Sequence, residues 1–411
     1  MDKQIIAALE IADHEVRLLI GQFFNGRLNI LKVERVAHQG VVGYTIASET
    51  HVVDAIKKAV ENASRNLGVL IESVLFILPG VHLKRIQRQR RIPITGRVSS
   101  IDIRRIYNDI NAAPSPEGFV LVNTLVTKFF INGSSTRKVP MNEKCDSLTI
   151  EAECYYGKES IVYPYVGLVE KSGLRIIDLV VDDIGYAKEA SLFEASIDKP
   201  IVAITLNNDM TRLALFHHGT MLSNDYLDRG FEEIHEVIKE TFNVPQDVVK
   251  RLLYNNIDLN KEAHNDPIFM WSTKSQTHTM TQHELFEVVE GELKEFMSGL
   301  IESSEPIFQL GTPRFILTGE ASVMEGLDSW LVDKFNVDVT RYRSTTFGVK
   351  DPSLTSIVGS FYYYKDQEIY REQTYSSVNL SEFESVVLQS KQEHNKDDSI
   401  TQKLKNMFFE R

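Results

Sequence analysis

The sequence predicts an α/β protein built from two related lobes, and three observations carry the prediction. The N-terminal segment reads strand, turn, strand, followed by a helix and a buried strand, the order of a layered α/β domain. The same hairpin rhythm returns after Pro200, as IVAITLNNDMTRLALFHHGTML over 201–222, which indicates an internal duplication. The 411 residues are 43% apolar and 25% charged, an ordinary soluble globular composition, and the length suggests roughly two to three domains.

The opening hairpin is LEIADHEVRLLIG (9–21), apolar on both sides of a polar tip, and LNILKVERV (28–36) follows a turn at Asn25-Gly26. Val52, Val53, Ile56, Val60 and Ala63 recur at helical spacing within 49–68, with Gly68 as the stop. SVLFILPG (73–80) reads as a buried strand and closes the first part of lobe 1 at residue 80. The texture changes at Val81, where residues 82–105 hold eight basic side chains and one acid. A short helix (101–112) and strands at 119–130 and 147–154 complete a small inserted α+β unit over 81–162.

Residues 163–199 return to lobe 1, and lobe 2 opens with 200–226. Helices at 231–242, 244–256 and 281–302 make 227–306 a helical subdomain; the last of them carries Leu285, Val288, Val289, Leu293, Phe296 and Leu300 on one face. A strand, a Gly turn and a helix over 314–335, with a final helix at 352–364, bring 307–364 back into lobe 2. Residues 365–398 hold eight acids against four bases with few apolar anchors, and are read as a flexible tether. Such a coil spans about 30–35 Å.

The final stretch, 399–411, breaks that pattern. Ile400, Leu404, Met407 and Phe408 fall at i, i+4, i+7 and i+8, with Phe409 beside them and Lys403, Lys405 and Arg411 nearby. An apolar stripe beyond a tether has no core of its own, so it is read as a membrane-surface helix whose cations meet anionic headgroups. Half-burial of four or five apolar side chains at about 1 kcal/mol each gives an affinity near millimolar. One copy binds poorly, so the anchor calls for a self-associating body that acts through avidity.

Several function classes are disfavoured. The net charge of −12 argues against a nucleic-acid coat. Cys145 and Cys154 lack metal-ligand spacing, so no zinc site or disulfide framework is expected, and a reducing compartment is the default. No apolar run reaches the ~18 residues of a membrane span, and the N-terminus is not a signal peptide. His217 and His218 precede Gly219 in a hairpin turn and are not read as metal ligands, and no independent catalytic constellation stands out. In the basic stretch, Lys84, Arg85, Arg88, Arg90, Arg91, Arg97, Arg104 and Arg105 admit partner or polymer contact, a solvated surface that discourages edge aggregation, or, least, nucleic acid, since few aromatics interleave them.

Two hairpins, a third strand–Gly turn–helix, an insertion after FILPG (76–80), the return EKSGLRIIDLVVDDIGYAKEA (170–190) and a C-terminal amphipathic segment together resemble the FtsA cell-division family of the actin/Hsp70 ATPase superfamily. Nearly the whole chain follows that order. The resemblance implies an actin-like fold of two lobes that clasp ATP and magnesium. It also implies self-polymerisation, binding of the FtsZ C-terminal tail, contact of the inserted domain with other division proteins, and attachment to the inner face of the cytoplasmic membrane at the division site. VPQDVVKRLLYNN (244–256) is similar to the family's adenosine-contacting segment, with Asp247 and Lys250 at the contacting positions.

The family's active-site residues do not carry over. The first tip is Glu10-Ile11-Ala12-Asp13 where the family has acid-Ile-Gly-Thr/Ser, and the second runs Thr205, Leu206, Asn207, Asn208, Asp209 where the family has Asp-Ile-Gly-Gly-Gly-Thr. The base-binding turn keeps Gly319 but continues Glu320-Ala321. Glycine tips let backbone N–H groups approach phosphate oxygens, which side chains prevent. A carboxylate about 4 Å from a phosphate costs about 4 kcal/mol at an effective dielectric near 20. Thr205 also removes the acid expected to hold magnesium. The expectation is a pseudo-ATPase with no cofactor, or one that binds ATP and magnesium weakly, through Asp13 or Asp209 turned into metal ligands.

The expected function is therefore an FtsA-like adaptor that works by binding and polymer avidity. The alternatives are an ATP-regulated actin-like polymer and a paralogue of pilus-assembly or chaperone type. The partner helix is acidic at Glu284, Glu287, Glu290, Glu292 and Glu295, which leaves Lys250, Arg251 and Lys294 as the basic groups for an FtsZ tail.

Overall fold

The structure, a computed structural model, describes residues 4–273 and 276–386. Lobe 1 begins with β1 (Gln4–Ile11), β2 (Glu15–Phe24), β3 (Arg27–Ala37), the two-residue pair β4 (Val41–Val42) and β5 (Thr45–Ile46), α1 (Glu49–Leu67) and β6 (Ser73–Leu78). The insertion contributes β7 (Lys84–Pro93), α2 (Ser100–Asn111), β8 (Phe119–Ile131), β9 (Ser134–Thr136) and β10 (Ser147–Lys158). α3 (Glu159–Lys171), β11 (Arg175–Val181), α4 (Asp182–Glu189) and α5 (Leu192–Ala195) lead to the second lobe. That lobe consists of β12 (Ile201–Leu206), β13 (Thr211–His217), β14 (Thr220–Leu227), α6 (Glu232–Phe242), α7 (Gln246–Asn256), β15 (Pro267–Thr273), β16 (Gln276–Thr281), α8 (Gln282–Ser303), β17 (Arg314–Thr318), α9 (Leu327–Phe335) and β18 (Asp338–Arg341). The return helix is α10 (Thr355–Asp366).

The duplication is explicit in the sheets. Lobe 1 has strand order β3-β2-β1-β6-β11 and lobe 2 has β14-β13-β12-β17-β18. In each, the first three strands in the chain pair antiparallel and the next two pair parallel. β1 and β12 are buried along their whole length, as central strands covered on both faces must be. Local signals fix the helix ends. Ser48 caps α1 and Gly68 stops it in the left-handed conformation, while Ser99/Asp102 and Thr281/Glu284 form capping boxes on α2 and α8.

The inserted unit is a separate four-stranded sheet, β7-β10-β8-β9, with α2 packed through Ile103, Ile106 and Ile110. Its basic segment is the edge strand β7, largely exposed, on which Arg85 faces Glu153 at 3.6 Å and Arg90 faces Asp109 at 3.4 Å. The chain leaves lobe 1 through α4 and returns to it through α10, and the two helices cross against the lobe 1 sheet. Gly185 and Gly359 meet there so closely that a Cβ on either would collide with the other helix's backbone.

Two boundaries differ from the sequence reading. The helix read as part of lobe 2, α10, packs against β1, β2, β6 and β11 and adds Ile357, Val358, Phe361 and Tyr364 to the lobe 1 core. Residues 365–386, read as the start of the tether, lie against lobe 1. Ser377 donates its backbone N–H to Ile5 (2.8 Å), its Oγ accepts from Ala7 N–H (2.8 Å), and its carbonyl accepts from Glu72 N–H (3.0 Å). Val378 is buried, and Leu380, Phe383 and Val386 pack on the same core. Sparse anchors in an acidic stretch conceal a strap held by backbone bonds at Ser377 and by a few apolar side chains. The rest of the tether, and the stripe of Ile400, Lys403, Leu404, Lys405, Met407, Phe408, Phe409 and Arg411, lie outside the described residues.

Candidate functional site: the cleft between the lobes

The two hairpin tips and the turn after β17 converge between the lobes. Glu10, Ala12, Asp13, Thr205, Asn207 and Gly319 line one cavity there, together with Arg17, Tyr44, Asp182 and Arg212. Asn208 and Glu320 meet beside it, with Asn208 Nδ2 donating to Glu320 Oε2 (2.6 Å). Ala321 is buried beneath the turn. Asp209 points to the rim, where His14 Nε2 lies 3.0 Å from its Oδ1. Asp247 and Lys250 lie on α7 and outside the cavity wall. The sequence reading thus named much of the cavity wall but missed Arg17, Arg212 and Asp182.

Those three dominate the electrostatics. Arg17 is buried, and its guanidinium donates to Glu10 (3.2 Å), Glu15 (2.7 Å), Glu320 and the Ser353 carbonyl (3.0 Å). Burial opposes its charge, but Glu10, Glu320 and Glu15 more than offset that and raise its basicity. Arg212 is ion-paired with Asp182, whose other oxygen accepts from the N–H groups of Gly80 (2.9 Å) and Asp183 (2.7 Å). Burial lowers the basicity of Arg212 and raises the pKa of the neighbouring Asp183 carboxyl. Asp13 is pushed up to about 7, first by burial and then by Asp209 and Glu320. A signal for both arginines existed in the sequence. HEVRLLI and MTRLALF each place a single Arg at the start of an apolar run, near the beginning of the second strand of a hairpin.

This arrangement leaves little space between the lobes. The cavity measures about 40 Å³, room for a few waters, whereas small-molecule sites run to roughly 300 Å³ or more. The leading N–H groups of the tips close their own turns, Ala12 to the Glu15 carbonyl (2.9 Å) and Asn207 to the Met210 carbonyl (3.2 Å), so neither is offered to a phosphate. Gly319, at φ +90°, packs so close to Leu206 that a Cβ there would collide with the Leu206 backbone. Among the described residues, no group of His, Cys, Asp or Glu has the geometry of a metal site.

The basic groups considered for a partner peptide are spread over two helices. Arg251 on α7 and Lys294 on α8 are exposed, and Lys250 is half-buried. On α8, Glu290 is used internally, bonded to Lys334 (2.8 Å) and Trp330 (3.2 Å). No helix among the described residues is long and apolar enough to cross a membrane.

No family model matches the chain. It is 22% identical to the cell division protein FtsA of Bacillus subtilis over 368 residues, 87% of this chain and 83% of that protein. The FtsA of Enterococcus hirae is also 22% identical, over 97% of both chains. The chain is thus similar to FtsA proteins over most of its length. Solved structures add the fold. A chain of the PilM–PilN type IV pilus biogenesis complex matches with a TM-score of 0.57 at 15% identity, covering 87% of this chain and 98% of that one. MreB5 of Spiroplasma citri, solved with AMPPNP bound, matches with a TM-score of 0.52 at 9% identity, over 89% of this chain and 97% of its own. The chain therefore has the actin-like fold, with Arg17 and Arg212 buried in the cleft between its lobes.

Proposed function

We propose that the chain is an FtsA-like cell-division adaptor that self-assembles at the cytoplasmic face of the membrane and links FtsZ filaments to it without nucleotide control. Similarity to FtsA proteins over most of the chain supports the role. The observation that carries the nucleotide-free part is the ~40 Å³ cleft filled by Arg17 and Arg212. The inserted domain presents the basic edge strand β7 for division partners, and Arg251, Lys294 and the half-buried Lys250 are the groups for an acidic tail.

Cosedimentation with anionic liposomes, in the presence and absence of an FtsZ C-terminal peptide, tests the adaptor. Binding to lipid that is lost in Phe408→Glu, and capture of the peptide that weakens in Arg251→Glu, are the expected results. A protein that neither pellets with lipid nor holds the peptide is not this adaptor.

A further inference from the structure

Arg17 and Arg212 stand at equivalent places in the two lobes. Each lies on the second strand of its hairpin, on the second rung from the tip, Arg17 opposite Glu10 and Arg212 opposite Thr205. Both are buried, at 4% and 7% exposure. Each crosses the cleft. Arg17 of lobe 1 ion-pairs with Glu320 of lobe 2, and Arg212 of lobe 2 ion-pairs with Asp182 of lobe 1. The duplication has thus exchanged two buried cations between the lobes.

We infer that this reciprocal pair of arginines is an internal clasp that holds the lobes closed in place of a bound metal nucleotide. Guanidinium suits that task, because it stays charged at any working pH and offers five donors in a rigid fork. Arg17 spends its donors on four acceptors drawn from both lobes and from the segment before α10. The carboxylates that a cation between the lobes would otherwise satisfy, Glu10, Glu320 and Asp182, are already neutralised from within the chain. The buried Nε of Arg212 has no partner among the described residues, and Arg212 lines the small cavity, where a water can accept from it. Contacts along the rim keep the same closure. His14 meets Asp209 (3.0 Å), Tyr44 meets Tyr226 (3.0 Å), and Asn224 meets Asp183 (3.2 Å).

The clasp deepens the nucleotide-free part of the proposed function and is independent of the choice of partner. It is tested on the full chain with spin labels at Asn66→Cys on α1 and Glu240→Cys on α6, both exposed, in a background with the buried Cys145 and Cys154 changed to Ala. Pulsed electron resonance reads the distance between lobes with and without millimolar ATP and magnesium. The expected result is one narrow distance that nucleotide does not change. It should move to longer and broader distances in Arg17→Met/Arg212→Met and stay narrow in Arg17→Lys. The double variant should also melt about 5–10 °C lower. If it does not fold, Glu320→Gln gives the same reading with a smaller change. A wild-type distance that is broad alone and narrows with ATP and magnesium overturns the clasp, as does a folded double variant with an unchanged distance. Loss of lipid or peptide binding leaves these distances untouched, so the two proposals fail separately.

Discussion

The imidazole of His14 lies 3.0 Å from the Asp209 carboxylate, which joins the tip of one hairpin to the tip of the other. That bond raises the pKa of His14 and lowers that of Asp209. The pair therefore contributes most between the two unfolded values, from about pH 4 to 6.5. It weakens at higher pH as His14 loses its proton, and at lower pH as Asp209 gains one. Asp13, with its pKa raised to about 7, has the opposite dependence to an ordinary paired acid. It is neutral below that value and repels Asp209 and Glu320 above it. Both effects loosen the tips as pH rises from 6 to 8. Hydrogen exchange over residues 10–16 and 205–211, corrected for intrinsic rates, should rise across that range. Asp13→Asn should remove part of the rise and His14→Gln most of the rest. A flat profile would remove the basis for both assignments.

The strap that crosses lobe 1 gives a second expectation. Ser377 Oγ is the acceptor for the fully buried N–H of Ala7, so Ser377→Ala leaves that donor unpaired. A loss of about 1–3 kcal/mol in denaturant unfolding is expected. Ending the chain at 386 should leave lobe 1 stability unchanged. Ending it at 370 also removes the packing of Val378, Leu380, Phe383 and Val386 and should cost about 3–6 kcal/mol. Equal stability for the two truncations would mean the strap is not part of the folded lobe.

Much of this fold was legible because its signals are local. The apolar runs of β1 and β12, the periodicity of α1 and α8 and the stop at Gly68 all lie within a few residues of the structure they specify. The duplication was readable for the same reason, since each hairpin keeps its rhythm. What was not legible depended on distant partners. Ser377 finds Ile5 and Ala7 about 370 positions away, and nothing in its own neighbourhood marks it as buried. Glu320 and Asp209 are alike as acids in a tip or turn, yet one meets Arg17 in the cleft and the other meets His14 at the rim. Charge alone placed Asp209 against a phosphate and said nothing of Arg17 beside Glu320.

The crossing of α4 and α10 has no room for a methyl group. Gly359→Ala should destabilise by about 1–3 kcal/mol or more, because the carbonyl of Gly185 lies in the path of the new Cβ and neither helix backbone can yield locally. Gly167→Ala, on α3 with open space at its Cβ position, is the matched control and should gain up to about 1 kcal/mol from helix propensity. Thermal melts of the two variants side by side separate collision at the crossing from a general helix-propensity effect. A Gly359→Ala protein as stable as the control would mean that the helices separate readily there.

The closed cleft also changes what repair of the tips should do. From the tip sequences alone, glycine at Ala12, Asn207, Asn208 and Asp209 together with Thr205→Asp should rebuild a phosphate cradle and raise ATP affinity by orders of magnitude. The geometry points elsewhere. The N–H groups of Ala12 and Asn207 are already bonded within their turns, and the cavity behind them measures about 40 Å³ with Arg17 and Arg212 in its wall. The repaired tips should therefore give no heat with ATP and magnesium in calorimetry up to millimolar concentration. Adding Arg17→Ala and Arg212→Ala to the same protein frees Glu10 and Asp182 and empties the space between the lobes, and measurable binding is expected only then. Binding by the repaired tips alone would mean that the arginines yield to a phosphate, and that tip chemistry rather than the clasp excludes nucleotide in the natural chain.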